Sequence, residues 1–245
     1  VADGLALLYT DSPMTTEYEI HEVPPCGEIS LVNFMGGDLT VVNAARVSFG
    51  ARSESLEPKD EKLIGFLMRE KHASPFEHSI FQFYVKCPIF VAREWFRHRW
   101  SSFNEFSMRY AVPEELEFWT PPDDHWRQQV GKPGAYTFEK IDSSTKKGMA
   151  EAAMMRVYEE AESAYRIMIM NGIAKEIARS VMPVATYTQF YWTVNARSLI
   201  NFLSLRNDEQ AQLEIALYAE IIEEIFAQKM PATYNSFMAA GRSAV

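Results

Sequence analysis

Apolar residues recur along this chain with two different periods. Between Glu28 and Phe34 (EISLVNF) they alternate closely enough to predict a strand, with Gly36-Gly37 as the turn behind it. From Asp38 to about Phe49 the spacing changes. Leu39, Val42 and Arg46 fall on successive turns, which predicts a helix capped by Asp38. Residues 50–60 are polar and loop-like, and Glu61 to Lys71 returns to helical spacing through Leu63, Ile64, Leu67 and Met68. Ser74-Pro75 followed by Glu77 reads as an N-cap, a proline start and a capping box. Ile80 to Cys87 (IFQFYVKC) is β-branched and aromatic and predicts a strand, after which Pro88 opens a helix to about Arg99.

The second half is more helical. Residues 111–135 are proline-rich and read as a long surface loop of the kind that is often functional. Ser144 to Met170 predicts the longest helix, with Met149, Ala153, Val157, Ala161, Ala164 and Met168 as its apolar face and Asn171-Gly172 as its stop. A short helix, Ala174 to Met182, precedes Pro183. Thr186 to Val194 (TYTQFYWTV) is the clearest strand, and Asn195 caps a helix to about Arg206. Ala211 to Lys229 and Pro231 to Gly241 close the chain as helices. Residues 1–27, with Pro13, Pro24 and Pro25, read as an extended lead-in. With no repeat, low-complexity tract or linker, the expectation is one α/β domain over residues 1–245.

Charge changes this picture at one place. The chain carries a net charge of -9, which argues against non-specific nucleic-acid binding or an anionic membrane surface. Against that background, Arg97, His98, Arg99, Asn104, Glu105, Ser107 and Arg109 crowd together, interleaved with Trp95, Phe96, Trp100 and Phe103. Guanidinium groups present planar forks of donors to phosphate and carboxylate oxygens and stack on flat rings, so the knot suits a nucleotide. A solvated helix end whose cations meet the helix dipole is the alternative.

Other chemistries have weaker signals. His72 and His78 are six apart around a proline, which is no metal-ligand spacing, and no metal site is expected. Cys26 sits in Pro-Pro-Cys-Gly, where no His suggests an activated thiolate, and Cys87 at the end of a buried strand reads as core. Two cysteines make no disulfide framework and fit a reducing cytoplasm. No apolar run reaches a membrane span, and the opening residues show no secretory signal. Neither G-x-G-x-x-G nor G-x-x-x-x-G-K-[ST] occurs, so a nucleotide must be held mostly by side chains.

Arg97-His98-Arg99, then Ser107 and Arg109-Tyr110, resemble the signature of the flavin-dependent thymidylate synthases. The resemblance extends over MGGDLTVVNAARVSF (35–49), HASPFEHSIFQFYVKCPIFVAREWFRHR (72–99) and ARSVMPVATYTQFYWTVNARSLINFLSLR (178–206). It implies a central, mostly antiparallel sheet flanked by long helices. It also implies reductive methylation of dUMP to dTMP, with 5,10-methylenetetrahydrofolate as carbon donor and NADPH-reduced FAD as hydride source, and no cysteine nucleophile. The family is a homotetramer with shared active sites, which implies the same here, in the cytoplasm and without a nucleic-acid or membrane partner.

Carried over position by position, the resemblance makes Arg206 the catalytic arginine beside the uracil edge. It places Glu94, Trp95, Phe96, Arg97, Glu105, Phe106, Ser107, Met108, Arg109, Arg179 and Arg206 in dUMP binding. FAD binding falls to Ser74, Arg97, His98, Arg99, Glu105, Asn195, Ala196, Arg197 and Asn201, and His72 and Tyr110 border the folate or nicotinamide approach. Ser107 is attractive as a nucleophile by itself, but the resemblance gives it to nucleotide binding. Plainer roles remain open: Asn195 as a helix cap, Arg197 with Asn201 as a surface pair, Arg179 as a dipole-compensating cation, Glu77 as a capping-box partner. Glu94 stands where a glutamine is common, and puts a carboxylate near a phosphate unless Arg93 or Arg97 neutralises it. Gln210 stands where a related sequence has a histidine. A nucleic-acid-binding module and a flavin reductase acting on another substrate are the competing functions.

Overall fold

The computed structural model describes residues 19–133 and 135–245. The lead-in expected over residues 1–18, Pro13 included, lies outside them. The remainder of that lead-in is part of a sheet: β1 (Ile20–Val23) pairs antiparallel with β2 (Gly27–Met35). β3 (Ile80–Pro88), β4 (Ser101–Glu105) and β7 (Tyr187–Asn195) complete five strands in the order β1-β2-β3-β7-β4, every pair antiparallel.

One face of this sheet makes the core. Phe81, Phe83, Val85 and Cys87 alternate inward along β3, and their register partners Val194, Trp192, Phe190 and Thr188 do so along β7. Three helices cover that face: α3 (Ile89–Trp95), α6 (Ala196–Arg206) and α7 (Leu213–Lys229). Trp95 sits at their meeting point with its ring 5.3 Å from Trp192, 5.1 Å from Phe202 and 5.4 Å from Tyr218. Fully burying side chains of this size contributes about 1.5–3 kcal/mol each. The Tyr218 hydroxyl donates to the Cys26 and Lys86 carbonyls and ties α7 to β2 and β3.

Several caps differ from the expectation. Asp38 is the first residue of α1 (Asp38–Arg46), not its cap, and a 3-10 turn continues to Phe49. Its carboxylate instead accepts from the Ala232 and Thr233 amides and the Thr233 hydroxyl, capping α8 (Pro231–Ala239) from far along the chain. Ser74 starts a 3-10 turn and makes no side-chain cap, so the expected box with Glu77 is absent. A capping box does occur at α2 (Pro58–Arg69), formed by Glu57 and Asp60 in the stretch read as loop. Gly36, at φ +100°, makes the turn before α1; a Cβ there would meet Ser79 Oγ at 2.7 Å.

Two segments read as irregular contain strands. β5 (Arg127–Lys132) and β6 (Ala135–Lys140) form a hairpin inside and beyond the expected loop 111–135. Arg127 anchors it to α7 through the buried Glu214 at 2.9 Å. Burial alone would raise the Glu214 carboxyl, but hydrogen bonds from Arg127 and Gln212 hold it below its usual range. α4 (Ser144–Met170) has the expected bounds and a different buried face. Lys147, Tyr158, Ala161 and Tyr165 point inward because Tyr158 stacks on Phe118 at 4.9 Å and donates to the Trp119 carbonyl. Met149 and Val157 of the expected face are 72% and 56% exposed. α5 (Lys175–Ala178) and a 3-10 turn (Arg179–Val181) follow. Among the described residues no helix is long and apolar enough to cross a membrane.

Candidate active site

The Arg-rich knot is not a helix end. α3 stops at Trp95, the His98 amide returns to the Trp95 carbonyl at 3.0 Å, and Ser101 Oγ closes the turn on the His98 carbonyl at 2.6 Å. The chain then enters β4, which pairs with β7 from Ser101↔Val194 to Glu105↔Phe190. The cause lies across the sheet: the open edge of β7 recruits a segment whose own alternation is weak, and Phe103 packs on Trp192 and Phe96. At about 3.4 Å per residue, β4 holds the two parts of the knot roughly 13 Å apart.

At the start of β4 lies a cleft of about 700 Å³. Arg97, His98, Arg99 and Trp100 line one side, and Asn195, Arg197, Ser198, Asn201, Leu205 and Arg206 of α6 and its cap line the other. Asn195 is also the N-cap, its Oδ1 accepting from the Ser198 amide at 2.9 Å. Arg197 is paired with Glu77 at 2.5 Å rather than with Asn201. Arg97 and Arg99 are exposed and have no ion-pair partner among the described residues. Trp100 is 84% exposed at the mouth.

Arg206 is held from one direction. Its Nε donates to His98 Nε2 at 3.0 Å, one terminal nitrogen donates to the Glu94 carbonyl at 3.2 Å, and the other pairs with the Glu94 carboxylate at 3.1 Å. The neutralising partner of Glu94 is therefore Arg206, not Arg93 or Arg97. His98 must be unprotonated at Nε2 to accept. Its pKa is accordingly pushed down to about 4, first by burial and then by the adjacent Arg206 charge.

At the far end of β4 the surroundings are looser. Glu105 accepts from the Thr188 hydroxyl at 2.8 Å, and Phe106 and Met108 line a second cleft of about 340 Å³ with residues 112–117 and Thr186 to Gln189. Ser107 Oγ accepts from the Arg109 amide at 3.3 Å, which makes it a turn acceptor with no base beside it among the described residues. Arg109 faces Glu176 of α5 at 3.5 Å and lies over the Tyr110 ring, and Lys175 donates to the Tyr110 carbonyl at 2.8 Å. Arg179, one turn along from Glu176, is exposed.

Some candidate residues fall outside both ends. Trp95 and Ala196 are wholly buried, Trp95 in the aromatic core and Ala196 with its amide on the Ser79 carbonyl, so neither side chain reaches a ligand. Phe96 packs on Phe103 and Phe190. His72 and Ser74 are exposed on the chain leading to Glu77, and His72 stacks on Phe66 at 5.8 Å. Conversely, the cleft includes Glu77, Trp100, Ser198 and Leu205, which the pattern of residue types did not assign to a ligand. Trp100 follows the Arg-His-Arg signature directly, and that adjacency is a signal for it. Burial raises the Cys26 thiol to about 12 and lifts Cys87 well above its ordinary range, so neither is a thiolate at neutral pH.

The family model for thymidylate synthase complementing protein matches residues 30–232. The flavin-dependent thymidylate synthase of Thermosipho melanesiensis is 46% identical over 217 residues, covering 86% of this chain and 90% of that protein. That of Wolbachia pipientis wMel is 40% identical, covering 90% and 77%. Among solved structures, the UMP/dUMP methylase PolB from Streptomyces cacaoi, bound with 5-Br dUMP, superposes with a TM-score of 0.79. It is 40% identical, over 89% of this chain and 97% of that one.

Proposed function

The chain belongs to the family of flavin-dependent thymidylate synthases, and on that premise we propose that it methylates dUMP reductively to dTMP with FAD as its flavin. The cleft at the start of β4 carries this reading. Arg97, Arg99 and Arg197 bring three cations to one wall-to-wall space, with Asn195 and Asn201 beside them and an exposed indole at the mouth. That donor set fits a dianionic diphosphate joined to flat rings. The family resemblance assigns Ser74 and Glu105 to the same cofactor, although both stand outside the cleft lining, Glu105 at the far end of β4.

NADPH-reduced FAD supplies hydride, and 5,10-methylenetetrahydrofolate supplies the one-carbon unit. This chain's residues bind and polarise. Arg206 donates N–H groups to the pyrimidine and stabilises the negative charge that develops there, with His98 neutral beside it. Glu105, Ser107, Arg109 and Arg179 receive the nucleotide, the two arginines as forked cations for its phosphate. Phe106 and Met108 flank them, and His72 and Tyr110 border the folate or nicotinamide approach. Both thiols are protonated and buried, which supports a route without a cysteine nucleophile.

The nucleotide residues and Arg206 stand at opposite ends of β4, which favours a site drawn from more than one subunit. A homotetramer with shared active sites provides this. The exposed Met149, Val157, Ile167 and Met170 of α4 supply apolar surface for such contacts. A cytoplasmic enzyme, functioning as one catalytic domain without nucleic-acid or membrane partners, completes the reading.

The test follows the visible spectrum of FAD-loaded protein as NADPH is added without oxygen, with and without dUMP. Flavin bleaching that accelerates with dUMP supports the synthase. Bleaching indifferent to dUMP points to a reductase with another substrate, and protein that retains no flavin overturns the assignment of the cleft.

A further inference from the structure

Arg206 ends α6 and Glu94 lies on the last turn of α3, beside the fully buried Trp95. Glu94 meets the arginine twice, through its carbonyl at 3.2 Å and its carboxylate at 3.1 Å, and His98, four residues on, accepts a hydrogen bond from the Nε–H. A guanidinium has five N–H groups. Two are committed here as hydrogen bonds, the Nε–H and one on Nη2, while Nη1 meets the carboxylate as an ion pair, so the terminal nitrogens keep N–H groups for a ligand. The arginine side chain is 17% exposed and the carboxylate 36%. A carboxylate this close also cancels most of the local positive charge, so Arg206 acts on a ligand through directed donors and not as a free cation.

We propose that Glu94 is a positioning residue for Arg206 and does not itself bind the nucleotide. Its carboxylate and carbonyl, with His98, fix the guanidinium plane and leave terminal N–H groups for a ligand in the cleft. This rests on the reading of Arg206 as the residue beside the pyrimidine. A long side chain otherwise free to rotate is thereby held in one orientation before substrate arrives.

The experiment compares dUMP binding by titration with steady-state turnover in FAD-loaded wild type, Glu94→Ala, Glu94→Gln, Arg206→Ala and the Glu94→Ala/Arg206→Ala double variant. Glu94→Ala is expected to lower kcat about tenfold, a coupling of about 1.4 kcal/mol, while KM for dUMP changes less. Glu94→Gln keeps an acceptor oxygen and recovers most of the loss, and the double variant is no slower than Arg206→Ala. Losses that multiply in the double variant would mean that Glu94 touches the nucleotide itself, and would overturn the proposal. So would wild-type kcat in Glu94→Ala, with or without a lowered melting temperature. If Glu94→Ala does not fold, Glu94→Leu, which keeps the bulk of the side chain and removes its acceptor oxygens, takes its place in the same cycle and decides by the same criterion. Wild-type protein that neither binds dUMP nor methylates it removes the functional reading, and the proposal with it, before any variant is compared.

Discussion

The two ends of β4 carry similar residue types in different settings. At its start, Arg206 at the end of α6 meets His98 of the turn after α3, whose ring packs on Phe202 at 4.9 Å, and Phe202 belongs to the ring cluster of Trp95 and Trp192. At its finish, Arg109 and Tyr110 stand on a surface turn, tied to α5 by one ion pair of 3.5 Å and one hydrogen bond from Lys175. The first end is organised by its own core before any ligand arrives. The second presents charge and leaves its ordering to a ligand or a neighbouring subunit. On the proposed function the difference separates two tasks: orienting donors at a reacting ring demands a fixed frame, whereas capturing a phosphate needs reach and charge.

The largest effect expected lies beneath the organised end. Trp95→Ala should cost about 3–5 kcal/mol of folding stability, read from denaturant melts, because its ring is core and not a substrate contact. Arg206→Ala comes next. It should lower dTMP formation by about 10²–10³-fold, as loss of a preorganised donor does, while the visible spectrum still reports bound flavin. Wild-type turnover in that variant would remove Arg206 from the chemistry.

At the looser end, Arg109→Ala should raise KM for dUMP by roughly ten- to a hundredfold, the range for a lost charge-assisted hydrogen bond of about 1.5–3 kcal/mol. Mixing it with Arg206→Ala subunits sharpens the comparison. At dUMP well below the raised KM, renatured hybrids should regain turnover that neither variant shows alone, because some sites then combine an intact end from each. Hybrids that stay inactive would place both ends in the site of a single subunit.

A smaller effect follows from pH. His98 has its folded-state pKa lowered from 6.5 to about 4. Between these values the unfolded chain binds more protons, so stability rises as pH climbs from about 4 to 6.5 and is lost as pH falls through that window. Urea melts across this range should show that slope, and His98→Asn should flatten it. Smallest is Glu77→Gln. An exposed pair is worth about 0–1 kcal/mol, so freeing Arg197 should tighten FAD binding a few-fold at most, measured by flavin titration, with unchanged melting temperature.

Local chemistry made much of the fold legible. Asn195 caps α6 as its residue type predicts, and α4 runs from Ser144 to Met170 as its Ser and Asn-Gly boundaries predict. The β3 and β7 strands follow from β-branched and aromatic runs. β4 was illegible because Ser-Ser-Phe-Asn-Glu has little strand character, and only the free edge of β7 recruits it. The buried face of α4 was misjudged because periodicity alone cannot identify what covers a helix; Phe118 and Trp119 do so from a stretch read as loop. In the site, the residue types were readable and their grouping was not.

By itself, then, the sequence determined the strands and helices with strong local signals, the acidic background and the one cluster of cations and aromatics set against it. Those depend on residues close together in the chain. Tertiary structure decided that the cluster is split between the ends of a strand, that Trp95 and Ala196 face the core, and that Glu94 meets Arg206. These are contacts between residues far apart in the chain, 112 positions for Glu94 and Arg206, and no local period encodes them. They arise when aromatic burial brings α3, α6 and the sheet together, and only then does each arginine acquire its partner.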